Sequence, residues 1–196
     1  MFIHKVDNEL ELKLIDLRDA KKIFELSEQS RNYLREWLPW LDVTRTVGDT
    51  RTFIQGAQRD YGENRGMTMV ILCDRVAVGV IGLNMINSMN KTAQIGYWLG
   101  AGHQGHGIMT RAARALTDIA FQELSLHKVE IRAAVGNTKS RAVPERLGFK
   151  QEGCIRQAEW LYDRYVDHIV YGMLDSEWTE KKNETKDARG AIDDGE

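Results

Sequence analysis

Cysteine and proline are scarce, each occurring only 2 times in 196 residues. Cys73 and Cys154 lie far apart with no Cys-x-x-Cys spacing. That argues against a disulfide framework or a zinc ribbon and suits a reducing compartment. With so little proline, departures from regular backbone must come from the 17 glycines. Long apolar runs are missing too, and none approaches the ~18 residues of a membrane span. The opening residues, Met1-Phe2-Ile3-His4-Lys5-Val6-Asp7, meet charge too soon for a secretory signal. Charge of one sign is also lacking: 27 basic residues face 29 acidic ones, net −2. A strongly basic nucleic-acid-binding surface is therefore not expected, although a local patch stays open. These absences describe a cytoplasmic protein with no membrane partner and no direct nucleic-acid partner.

What is present is a globular composition, 42% apolar and 29% charged. The length suits one domain with a core large enough to need no staple. The domain is expected over 1–178. The remaining segment, 179–196, holds six acids, four bases and almost nothing apolar, and is read as a polar disordered tail. Without it the charge of the chain balances.

Leu10, Leu12 and Leu14 alternate with Glu11 and Lys13, which predicts a strand. From Asp19 the period changes: Ala20, Ile23, Phe24, Tyr33, Leu34 and Trp37 approximate a helix, with Asp16 or Asp19 as its cap. Pro39 ends it, between Trp37 and Trp40. A second helix is expected over Asp49–Tyr61, then strands over Thr68–Cys73, Val76–Leu83 and Ala93–Leu99. Past a glycine loop, Ile108–Phe121 reads as an amphipathic helix and Val129–Val135 as a buried strand. Ser140–Leu147 reads as a short helix closed by Gly148, and strands near Gln151–Ala158 and Val166–Met173 complete the chain. The order implies a mixed α+β fold rather than a doubly wound sheet.

The loop Gly100-Ala101-Gly102-His103-Gln104-Gly105-His106-Gly107 lies between a strand and a helix. Glycines let backbone N–H groups approach a ligand, and the free N–H groups of a helix start favour an anion. There is no Gly-Lys-Ser/Thr and no Gly-x-Gly-x-x-Gly spacing, so neither a Walker A loop nor a Rossmann turn fits. A plain glycine hinge would account for the spacing as well. His103 and His106, three apart on this loop, have no ligand-rich neighbours, so no metal is expected there. A histidine beside a phosphate is the better reading of either.

Gln104-Gly105-His106-Gly107-Ile108-Met109 resembles the pyrophosphate loop of the GNAT superfamily of acetyl-CoA-dependent N-acetyltransferases. Met109 stands where the broad superfamily has Gly or Ala, but is similar to the Rim-type branch that acetylates ribosomal-protein N-termini. The resemblance extends through Ala93–Leu99, Asn137–Phe149, Gly153–Trp160 and Trp37-Leu38-Pro39-Trp40. It covers about residues 8–175, each piece weak and the ordered set specific. It implies a mostly antiparallel twisted sheet flanked by helices, with a central splayed strand pair.

Acetyl transfer to an amine needs a held thioester, a deprotonated amine, a stabilised oxyanion and a proton for the leaving thiolate. The resemblance implies that Ala93–Leu99 splays from the next strand at a bulge. Backbone groups of Tyr97, Trp98 and Leu99 would then bond the pantetheine arm, and one N–H would polarise the carbonyl. An oxyanion donor is worth ~2.7–4 kcal/mol in other enzymes. The cofactor would further meet Gln104, Gly105, His106, Gly107, Ile108 and Met109, with Asn137 on its amide and Ser140 near its sulfur. Asn137 and Ser140 are equally explained as helix caps, and Tyr97 and Trp98 as core aromatics. Glu159 lies in a Gln-Ala-Glu stretch that resembles the corresponding segment of Rim-type enzymes, and the resemblance implies that it is the base. The aromatic Trp160 beside it would raise its carboxyl pKa while a bound ammonium would lower it, and a solvated strand-end glutamate is the plain alternative. The expected acceptor is a protein or peptide α-amine, a ribosomal protein among the candidates. Two alternatives stay open: a small-amine acetyltransferase (amino acid, polyamine or antibiotic) and a non-catalytic CoA-binding module. A homodimer is open as well.

Overall fold

The computed structural model describes residues 2–181. Among these residues, eight strands form one sheet: β1 (Ile3–Lys5), β2 (Leu10–Leu14), β3 (Met67–Cys73), β4 (Val76–Asn87), β5 (Thr92–Leu99), β6 (Lys128–Ala134), β7 (Lys150–Leu161) and β8 (Arg164–Leu174). Their order is β1-β2-β3-β4-β5-β6-β8-β7. Only β5–β6 is parallel. Six helices flank the sheet: α1 (Ala20–Gln29), α2 (Arg31–Leu34), α3 (Val47–Gly62), α4 (Ile108–Asp118), α5 (Thr138–Leu147) and α6 over 175–181. The α+β class read from the sequence is the class observed.

Period-two strands feed two cores. Val70 and Val80 face one way, onto Ile23 of α1 and Ile54 of α3. Met69, Ile71 and Ile81 face the other, onto Ala112 and Leu116 of α4 and Val143 of α5. The α3 helix starts two residues before the expected Asp49 because Thr46 and Asp49 form a reciprocal capping box. After Asp118 the α4 helix widens its ladder into a π turn over Ile119–Glu123, close to the predicted end.

The single helix expected from Asp19 to Trp37 is instead broken at Ser30. The buried Ser30 hydroxyl accepts a hydrogen bond from the Ala101 N–H at 3.0 Å, tying the break to the end of β5. Asp16 caps the preceding turn, with Asp19 completing the box. Strand β1 has three residues, too few for a period to register. Helix α6 carries Trp178, which is 3% exposed, packs edge-on against Phe149, and donates to Asp118 at 2.7 Å. The helix runs three residues beyond position 178. Residues 182–196 of the expected tail lie outside the described residues.

The feature that positions the site is a divergence of β5 from β6. Their pairing covers only Thr92–Ile95 against Lys128–Ile131. On its other side β5 stays paired with β4 to the end, Leu99 opposite Gly79. Strand β6 follows β8 instead, as far as Ala134 opposite His168. The splayed pair is thus present, but the expected bulge is not between these strands. The register slip lies one strand away, between Asn84 and Asn87 of β4, where Met85 has a φ of 52°. A wedge of side chains, Tyr97 and the start of α5, holds β5 and β6 apart.

Candidate active site

A cleft of about 850 Å³ opens at this divergence. One wall is the end of β5 with Tyr97, Trp98 and Leu99, the floor is the glycine loop and the start of α4, and the far wall is the start of α5. A lip from α2 and the turn after it closes the cleft with Tyr33, Leu34, Trp37 and Leu38.

The loop geometry follows from glycine. Gly105 and Gly107 have φ of 81° and 68°, the left-handed region that L side chains avoid. A Cβ at either would meet nothing within 4 Å, so the space over the loop is open to a ligand. Gly107 occupies the N-cap of α4, and no side chain caps that helix. The first hydrogen bond of the helix returns from Arg111 N–H to the Gly107 carbonyl at 3.1 Å. The three N–H groups before it point outward with the helix dipole behind them, a fit for a pyrophosphate.

The electrostatics agree. Among the described residues the cleft is lined by Lys139, Arg146, His103 and an Arg111 that is ion-paired with Asp7 and Glu9, and by no carboxylate. Lys139 and Arg146 place positive charge where an anion would lie. Lys139 donates to Gln104 Oε1 at 3.1 Å and sits 5.4 Å from the Tyr33 ring centre, joining both walls over the loop. Burial pushes the Tyr33 phenol above its usual value, so it stays neutral. Among the described residues, no three His, Cys, Asp or Glu side chains come together as metal ligands.

At the narrow end, Tyr97 and Ser140 meet. The Tyr97 hydroxyl donates to the Ser140 carbonyl at 2.9 Å, and the Ser140 hydroxyl donates to Tyr97 Oη at 3.4 Å. Burial pushes the Tyr97 phenol far up, so it acts as a neutral hydrogen-bonding group. The α5 cap is made by Asn137, whose Oδ1 accepts from the Ser140 N–H at 3.1 Å. Ser140 therefore does not cap the helix, and its hydroxyl is held by one long bond. Beyond Ile95, β5 has no partner on its β6 side, leaving backbone groups of Tyr97–Leu99 available to a ligand.

The structure brings ten of the sequence-selected residues together in this cleft: Tyr97, Trp98, Leu99, Gln104, Gly105, Gly107, Ile108, Met109, Asn137 and Ser140. His106 and Glu159 are not among its lining residues. His106 is exposed on the outer side of the loop.

Glu159 lies on β7, past a register slip between Ile155 and Glu159. Its carboxylate is 3.2 Å from Nε2 of His168, with side chains 35% and 18% exposed. His168 stands opposite Ala134, at the end of β6 that lines the divergence. Trp160 is not the neighbour that shapes this carboxylate. Successive strand residues point to opposite faces, and Trp160 packs on Tyr165 with ring centres 4.9 Å apart. Sequence reasoning missed His168, Tyr33, Lys139 and Arg146. Of these only Lys139 and Arg146, inside the Asn137–Phe149 segment, had a local signal.

Comparison with known proteins agrees with this geometry. A family model described as an acetyltransferase (GNAT) domain matches residues 9–150. The ribosomal-protein-serine acetyltransferase of Escherichia coli (strain K12) is 37% identical over 174 residues, 87% of this chain and 95% of the relative. Among solved structures, RimL, a ribosomal L7/L12 alpha-N-protein acetyltransferase in complex with coenzyme A, matches with a TM-score of 0.86 at 31% identity, covering 88% of this chain and 98% of that one. The microcin C7 self-immunity acetyltransferase MccE, solved with acetyl-CoA and AMP, matches with a TM-score of 0.83 at 30% identity, covering 87% and 94%. A splayed strand pair, an uncapped helix behind a glycine loop and likeness over nearly the whole length lead to one conclusion: the chain belongs to the GNAT family of acetyltransferases.

Proposed function

We propose that this enzyme acetylates the N-terminal α-amine of a protein, with a ribosomal protein as the physiological acceptor. The full-length likeness, at 37% identity, to a ribosomal-protein-serine acetyltransferase carries this reading. Acetyl-CoA supplies an activated acyl group in the cleft between β5 and α5. The N–H groups before Arg111 on the loop and helix α4 hold its pyrophosphate, backed by Lys139 and Arg146. Backbone groups of Tyr97–Leu99 align the arm and hold the charge that develops on the carbonyl oxygen.

Glu159 takes the proton of the incoming ammonium, directly or through water, from the β8 side of the divergence. An α-amine has a pKa of only ~7.7–8.0, so a carboxylate suffices where a lysine acceptor would need a stronger base. Ser140, whose hydroxyl otherwise donates to Tyr97 Oη, hands its proton to the departing sulfur and recovers one from solvent once coenzyme A has left.

The test is thiol release from acetyl-CoA with peptides ending in a free α-amine, against the same peptides blocked at the terminus and against amino acids, polyamines and aminoglycosides. Turnover confined to free-terminus peptides is the expected result. Turnover of small amines alone overturns the peptide half of the reading. A fully inert protein that still binds acetyl-CoA overturns the enzymatic half.

Ser140→Ala separates chemistry from folding. Because Asn137 makes the cap, the melting temperature should stay near that of the wild type. A thiolate is a modest base, so its protonation is worth about tenfold, below the usual range for proton transfer. The expected result is a kcat loss of about tenfold with an unchanged acetyl-CoA Kd. A loss of stability of ~1 kcal/mol with intact kcat would return Ser140 to a structural role.

A further inference from the structure

Trp37 has a placement that cofactor binding does not require. It belongs to the lip after α2, yet its indole reaches across the cleft to the turn between β6 and α5. A Cβ built on Gly136 would stand 3.1 Å from Trp37 Cη2 and 3.7 Å from Cζ3. The ring therefore rests on bare backbone, one residue before Asn137, and lines the same cleft as Asn137. Gly136 is not among the glycines with positive φ, so its value here is the missing side chain rather than an unusual backbone.

The indole is held from behind. The Tyr162 hydroxyl donates to the carbonyls of Arg35 at 2.6 Å and Leu38 at 3.3 Å, the two residues that bracket the Trp37 turn. The Arg35 guanidinium lies 4.1 Å from the Tyr162 ring centre and pairs with Asp42 at 2.8 Å. The tip of the β7–β8 hairpin thus clamps the segment carrying Trp37, and the same hairpin carries Glu159 and His168. The turn is clamped on one side and the indole is seated on Gly136 on the other, which places the ring in the wall of the cleft.

We propose that Trp37, seated on Gly136, sets the size limit for the first residue of the acceptor. The inference rests on the N-terminal reading above. An α-amine reaches the thioester with its own side chain attached to the adjacent carbon, so that side chain must fit beside whatever bounds the narrow end of the cleft. The bounding groups on the β6 side are Trp37 and the Gly136–Asn137 backbone. A smaller residue at 37 opens the space, and a methyl at 136 pushes the ring into it.

The two substitutions therefore act in opposite directions. With peptides differing only at the first residue (Gly, Ser, Val, Leu, Phe), Trp37→Leu should raise the kcat/KM ratio of Leu to Ser about tenfold. Gly136→Ala should lower it by a similar factor. A residue that merely supports the fold would depress all peptides together and leave the ratio unmoved, and that result in both variants overturns the proposal. If Trp37→Leu melts too low to assay, Gly136→Ala alone decides by the sign of its ratio change. If no peptide is turned over by any variant, the N-terminal reading has failed. The gauge is then tested on primary alkylamines of increasing branching at the carbon bearing nitrogen. Opposite shifts keep it, and an unchanged order overturns it.

Discussion

Glu159→Gln is expected to lower kcat by ~10²–10⁴-fold at pH 7, the range for losing a positioned base. Glutamine keeps the size and one hydrogen bond to His168 while removing basicity, so the acetyl-CoA Kd should not move. The loss should shrink as pH rises through the acceptor's own pKa of ~7.7–8.0, because an amine that is already neutral has no use for a base. The wild-type profile should correspondingly keep activity at pH values where the variant has lost it. Steady-state kinetics on a single peptide between pH 6 and 9.5, in about half-unit steps, check both effects together. A variant with near-wild-type kcat at pH 7 would reduce Glu159 to a positioning role. The geometry makes the experiment sharp, since Glu159 is not among the residues that line the cofactor cleft and its carboxylate meets His168 instead.

The second large effect concerns the loop. Gly107 has a φ of 68° and caps α4 with no side chain over the first N–H groups. Gly107→Val places a β-branched residue in a region that costs a non-glycine residue ~1–2 kcal/mol. It also stands between the N–H groups and their ligand. Losing two hydrogen bonds to a charged group, each worth ~1.5–3 kcal/mol, predicts an acetyl-CoA Kd ~10²–10⁴-fold higher. Calorimetric titration measures the Kd, and thermal melting verifies that the variant is folded. Unchanged affinity in a folded variant would mean that the pyrophosphate does not lie on this loop. The Gly105 position, with a φ of 81° and the same open space, should behave similarly but more weakly, being off the helix axis.

Much of the fold was legible along the chain because its signals are local. The alternation of Leu10–Leu14 and the Gly148 C-cap with a φ of 74° each act within a few residues, whereas the capping box of Thr46 and Asp49, equally local, went unread and moved the start of α3. The glycine loop was legible for the same reason: positive φ at Gly105 and Gly107 and the helix behind them lie in one contiguous stretch. Asn137 and Ser140 were found together, but which of them caps α5 is a matter of one side-chain hydrogen bond, and that bond belongs to Asn137.

Other features were set by contacts between distant segments, to which periodicity is blind. The break at Ser30 answers to Ala101, and Glu159 takes His168 rather than Trp160 because alternation and a register slip in β7 turn it that way. The register slip falls between β4 and β5, at Asn84–Asn87, while β6 leaves β5 to follow β8. Trp37 reaches Gly136 across 99 positions only after the hairpin tip clamps its turn. The amino-acid sequence by itself determined the α+β elements, the glycine loop and the identity of half the groups facing the cleft, since each follows from short-range backbone preferences. Tertiary structure alone decided where β5 leaves β6, which partner each polar side chain takes and which aromatic groups close the cleft, since those depend on packing between segments that only the folded sheet brings together.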